Sequence, residues 1–213
     1  MYRCEATSVA GFIQQLAVSY VANGYWFYVT GEIPARKDPR AVDTKLIARY
    51  HLDISKWTRC RQRKTGVASV QYLRHGSFFV LVATRGEHEF FTAEASRIRD
   101  IRRAPLRYGG YSVAGLLAGE KHRVSVRIER DAYSELKSRF LAMATGGSEA
   151  PLSDALQRVA FARYAPVRRQ LAGLLRSINL IRRQQNLPPV SPREGWFWRP
   201  QLRPFVTDEG CLE

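Results

Sequence analysis

The chain has 213 residues, with 34 Lys and Arg against 19 Asp and Glu, a net charge of +15 and a pI near 10.3. At 45% hydrophobic and 25% charged, it is too apolar for a disordered polyelectrolyte, and no apolar run approaches the roughly 20 residues that a membrane span needs. A positive excess of this size favours polyanionic partners, nucleic acid first.

Along the chain, a strand is expected over 2–6. A helix over SVAGFIQQLAVSYVANG follows, because Val9, Phe12, Ile13, Leu16 and Tyr20 recur at helical spacing between a Ser8 cap and an Asn23-Gly24 stop. YWFYVTGEIP is aromatic and β-branched and reads as a strand ended by Pro34. Asp38 followed by Pro39 marks the start of the next helix, KDPRAVDTKLIARY. ASVQYLRHG and SFFVLVATRG then form a hairpin. Thr92 is expected to cap a helix, AEASRIRDIRR, that Pro105 ends. A second hairpin turns near Gly119, and Asp131 opens a helix closed by Gly146-Gly147.

These elements predict an α+β fold with a mostly antiparallel sheet and packed helices: βαβ, then helix–hairpin–helix–hairpin–helix. Three segments are expected: an α+β nucleic-acid-binding domain over 1–147, a basic helical extension over 151–186, and an extended tail over 187–213. The tail carries five prolines with Trp196, Phe197, Trp198 and Phe205. Cys4, Cys60 and Cys211 are separate and odd in number, so neither a zinc knuckle nor a disulfide framework is indicated. MYRCEATS shows no signal-peptide pattern, and the protein reads as cytoplasmic.

The positive charge is grouped. KWTRCRQRKTG holds Lys56, Arg59, Arg61, Arg63 and Lys64 around Trp57 with no acid. RIRDIRRAPLR holds Arg97, Arg99, Arg102, Arg103 and Arg107 against Asp100. In RYAPVRRQLAGLLRSINLIRRQQN, Tyr164, Val167, Leu171, Leu174, Ile178 and Ile181 make an apolar stripe. Arg169, Arg176 and Arg183 lie opposite it, roughly 10 Å apart. Over 157–195 there are eight arginines and one acid, Glu194, whereas a merely solvated face mixes signs. Of the 34 basic residues 28 are Arg, whose planar fork grips phosphate and stacks on bases.

The expected partner is therefore RNA or DNA, with RNA slightly favoured, in a non-catalytic ribonucleoprotein or mobile-element role. Trp57 either stacks on a base or anchors its segment to the core. Tyr25, Trp26, Phe27, Tyr28, Tyr72, Phe78, Tyr108 and Tyr111 are expected as core aromatics, with base stacking the alternative. No P-loop, GxSxG, HExxH or GxGxxG pattern is present, and no cofactor is expected.

The alternative reading is a nuclease, either tyrosine-based or dependent on a metal such as Mg, with Glu87, His88, Glu89 and Asp53 as its only candidates. His75 or His122 beside an Arg would serve a metal-free ribonuclease. Over 39–145 the expected element order is similar to that of LAGLIDADG homing endonucleases, but KLIARYHLD, near Asp53, lacks that family's small residues. A third reading is a scaffold whose WFW tail anchors a protein partner.

Overall fold

The computed structural model describes residues 2–118, 121–191, 196 and 203–205, without the side chains of 117, 118, 121 and 122. It is an α+β protein with antiparallel sheets. Contacts divide it into two compact units. The first comprises Met1–Leu106, Val113–Ser125 and Leu202–Glu213, the second Arg107–Ser112 and Val126–Gln201. The division runs through the second hairpin.

In the first unit, helix α1 (Val9–Gln14) starts as expected: the Ser8 hydroxyl accepts from the Gly11 amide at 3.1 Å. The helix continues as π turns over Gln15–Tyr20 and a 3-10 turn over Val21–Asn23. It stops at Gly24, whose φ of 90° suits glycine alone. Strands β1 (Phe27–Glu32), β2 (Val70–His75), β3 (Phe78–Ala83) and β4 (Arg99–Asp100) form one sheet in the order β2-β3-β1-β4. Phe27 lies opposite Ala83 and Glu32 opposite Phe78, while Val70 also faces Ala83 across β3.

The central strand β3 is covered on both faces, which is why Val80, Leu81, Val82 and Ala83 are all buried. Leu81 and Ala83 join Cys4, Val29, Tyr50, Leu52, Val70, Tyr72 and Phe90 in a core that Leu46 and Ile47 of α2 (Pro39–Arg49) help to cover. On the other face Phe78 meets Phe12 of α1, ring centroids 5.8 Å apart. Asp38 caps α2, accepting from Arg40 and Ala41, with Pro39 in the first turn as expected.

Segment 2–6 is not a strand; it makes an isolated parallel bridge, Glu5 to Arg74. The Tyr2 hydroxyl replaces the next rung, accepting from the Tyr72 amide at 2.8 Å and donating to its carbonyl at 3.0 Å. The basic segment KWTRCRQRK is a helix, α3 (Lys56–Lys64). Helix α4 is only Glu89–Ala93 and is capped by His88, not Thr92. The chain then turns into β4, because Ile101 buries completely and its amide donates to the Trp26 carbonyl at 2.8 Å. The Asp100 carboxylate holds the next turn by accepting from the Arg102 amide at 2.9 Å.

Strand β5 (Leu106–Tyr108), not anticipated, pairs in a second sheet of order β5-β6-β7 with β6 (Tyr111–Ala118) and β7 (Lys121–Ile128). The expected turn at Gly119 lies outside the described residues. The two hairpins thus belong to different sheets, and α3 intervenes, so the element order similar to homing endonucleases is not realised.

The second unit is mainly helical. Helix α5 (Arg130–Ala144) is capped by Glu129 rather than Asp131, with the carboxylate accepting from the Asp131 amide at 2.8 Å. The stretch 151–186 is not one helix. It comprises α6 (Ala150–Gln157) and α7 (Ala165–Gln184), broken where the buried Arg163 guanidinium donates to the Val159, Phe161 and Trp196 carbonyls. Leu136, Phe140, Leu152, Leu156, Val167, Leu171, Leu174 and Ile178 are buried. Among the described residues, no helix is long and apolar enough to cross a membrane.

Candidate nucleic-acid interface

Helix α3 forms because Ser55 caps it, accepting from the Thr58 amide at 3.1 Å, and because Lys, Arg and Gln are good helix formers. Arg61, Arg63 and Lys64 occupy its last turn, where cations oppose the helix dipole. At about 100° per residue, Trp57, Cys60, Arg61 and Lys64 stand at i, i+3, i+4 and i+7 on one face. All four are exposed, and Trp57 is 81% exposed.

The five cations divide by role. Arg59 turns inward and donates to the Ile54 carbonyl at 2.6 Å, and Arg63 reaches the Asn23 carbonyl at 3.4 Å. Lys56, Arg61 and Lys64 are exposed. None of the five pairs with a carboxylate among the described residues. Two like charges about 8 Å apart in water repel by roughly 0.5 kcal/mol, so the face carries a small standing cost that an anion would relieve. Trp57 anchors nothing; of its two expected roles, the core anchor is excluded by its exposure.

The second cluster is largely structural and does not lie on a helix. Arg102 forks onto Asp100 at 2.6 to 3.1 Å and lies 4.4 Å from the Trp26 ring centroid. Hydrogen bonding from Arg102 holds the Asp100 carboxyl below its usual range. Arg97 bridges Glu94 and the Thr30 carbonyl. Arg107 belongs to the second unit and sits 3.4 Å from Glu129. Arg99 and Arg103 are exposed and make no ion pair among the described residues.

The third cluster keeps the expected helical arrangement. Val167, Leu171, Leu174 and Ile178 of α7 are fully buried, while Arg169, Arg176 and Arg183 are exposed. Leu180, 57% exposed, lies on the same face, four residues from Arg176 and three from Arg183, a neighbour that spacing alone could have flagged. Arg182 has no such freedom. It is fully buried and donates to the carbonyls of Pro188, Gly146, Ala144 and Gly147, closing the end of α5.

Of the expected core aromatics four are buried, and Trp26, Phe27, Phe78 and Tyr108 are half-buried. Tyr25, Tyr28, Tyr72 and Tyr111 are buried, Phe27 packs on Phe91, and the Tyr28 hydroxyl donates to the Ala104 carbonyl. The Trp26 face is covered by Arg102.

The nuclease candidates do not converge. Among the described residues, no group of three or more His, Cys, Asp or Glu is placed to hold a metal. His88 Nδ1 accepts from the Phe90 amide as the α4 cap, and Glu89 is largely exposed, 4.0 Å from Arg49. The Glu87 backbone pairs with Gly66 and Ala68, and Asp53 is exposed before α3. The His122 side chain, Phe197 and Trp198 lie outside the described residues. Trp196 is buried, its Nε1 donating to the Leu156 carbonyl at 2.8 Å, so it is not a free anchor for a partner.

A cleft of about 1010 Å³ lies beside α2 and is lined by Arg3, Glu5, Arg40, Asp43, His75 and Phe205 among others. Its acids are engaged: Asp43 and Glu5 both hold the buried Arg74, at 2.9 and 3.0 Å, and Tyr72 donates to Asp43 at 2.6 Å. Burial works against the Arg74 charge, and these carboxylates more than reverse it, raising its pKa. Burial, with the Asp43 charge adding, pushes the Cys4 thiol up to about 12. No protein-family model, curated protein or solved structure matches the chain.

Proposed function

We propose that this protein binds nucleic acid, RNA in preference to DNA, without itself catalysing a reaction on it, as a component of a ribonucleoprotein or mobile-element system. The observation that carries this reading is the outward face of α3, where Trp57 stands 81% exposed beside Arg61 and Lys64 with no acid. A bare indole costs solubility and gives nothing to the core, but it is a platform on which any base can stack. The adjacent cations supply phosphate contacts. Arg169, Arg176 and Arg183 on α7 offer a second row of cations.

The experiment is purification without nuclease treatment, a high-salt wash, and sequencing of whatever nucleic acid remains bound. A defined RNA supports the reading. Clean protein that also fails to retard single-stranded RNA at low salt overturns it. Shortening of the added RNA would instead favour the nuclease reading.

A further inference from the structure

On the inner side of α3 lies a small cavity of about 250 Å³, formed within the first unit. Ile54, Val67 and Val70 give it apolar walls, and Gln62, His51 and His88 bring polar groups to it. No carboxylate, Lys or Arg lines it, which makes it unlike the surface on the other side of the same helix. At this size, below the roughly 300–1,000 Å³ of sites for drug-sized ligands, it suits a single heteroaromatic ring system.

The polar groups have unused hydrogen-bonding capacity. The Gln62 side-chain amide, half-buried, makes no hydrogen bond among the described residues, though its carbonyl backbone atom accepts from Thr65 and Val67. His88 Nδ1 accepts from the Phe90 amide, so the neutral ring carries its proton on Nε2, a donor left without a partner among the described residues. Burial, partly offset by Glu89, lowers the His88 pKa and keeps that ring neutral. The Tyr50 ring lies against His88, centroids 6.3 Å apart, and its hydroxyl is already committed to Glu94 at 2.8 Å. His51 is held at the rim by a left-handed backbone, φ 50°.

We propose that this cavity receives one unstacked nucleobase, whose polar edge is read by the Gln62 amide and whose face meets the His88 and His51 rings. An amide offers one donor and one acceptor side by side, matching the paired donor and acceptor on a base edge. An uncharged, apolar-walled slot beside a cationic helix is the arrangement that lets phosphates stay in water while one base is desolvated. This inference rests on the nucleic-acid reading and adds base discrimination to it.

The test is the affinity of the whole protein for four single-stranded RNA homopolymers of equal length, with Gln62→Ala and Gln62→Glu variants alongside. The wild type should prefer one base. Gln62→Ala should weaken the preferred homopolymer by about tenfold and level the four affinities, leaving the salt dependence unchanged. Gln62→Glu, nearly isosteric, should shift the preference, because a carboxylate accepts where the amide donated. Equal affinities in the wild type, or discrimination untouched by both variants, would overturn the pocket while sparing the binding reading. Failure of every RNA to bind would overturn both.

Discussion

At the scale of the single residue, the arginines sort by what they touch rather than by where the sequence clusters them. Arg74 is 3% exposed and held by two carboxylates, so Asp43→Ala should cost about 3–5 kcal/mol of stability, because it leaves a buried cation short of its main partner. Chemical denaturation measures this directly. Asp100 shows the pH consequence. Its folded pKa lies below the unfolded value, so its contribution is complete above about pH 4 and is lost as pH falls further. Asp100→Asn should flatten that acid limb of the stability curve. Trp57→Ala is the converse case. With the indole 81% exposed, thermal stability should stay within about 0.5 kcal/mol, while RNA affinity should fall by roughly 1–3 kcal/mol if a base stacks there. Unchanged affinity would contradict the stacking role.

At the scale of the element, local chemistry was legible and tertiary pairing was not. The Ser8 and Asp38 caps, the Gly24 stop and the hairpin β2–β3 follow from residues within a few positions of one another. The stretch 94–103 misleads because Ile98 and Ile101 at a spacing of three suit a helix as well as a turn. Only the pairing of Asp100 with Phe27 of β1 decides. Helix α3 hides for another reason: it has no apolar face, and its inward contact is an Arg59 guanidinium on carbonyl groups. Arg182 hides in the opposite way. It occupies the stripe of Leu174 and Ile178, where the pattern leads one to expect an apolar residue, and it is buried because carbonyls at the end of α5 need donors. Arg182→Met should therefore destabilise the protein by about 3 kcal/mol. The triple change of Arg169, Arg176 and Arg183 to Ala should leave the melting point alone and lower the salt slope of binding by about one per lost phosphate contact. Filter binding at several salt concentrations would report it.

At the scale of the whole molecule, a charge of +15 is more than the fold uses. Arg59, Arg63, Arg163 and Arg182 answer backbone carbonyls, and Arg74, Arg97, Arg102 and Arg107 answer carboxylates. Lys56, Arg61, Lys64, Arg169 and Arg183 have neither kind of partner among the described residues, and they fall on two helices in two separate units. A chain that kept these cations for solubility alone would intersperse acids among them. The proposed role of α3 is to present Lys56, Arg61 and Lys64 to a polyanion. Its most direct test is the salt dependence of single-stranded RNA binding for the wild type and for Lys56→Ala/Arg61→Ala/Lys64→Ala. A steep wild-type slope is expected, becoming shallower by about two to three in the variant, with the fold intact. The same slope in both proteins, or no measurable binding by the wild type at low salt, would contradict it.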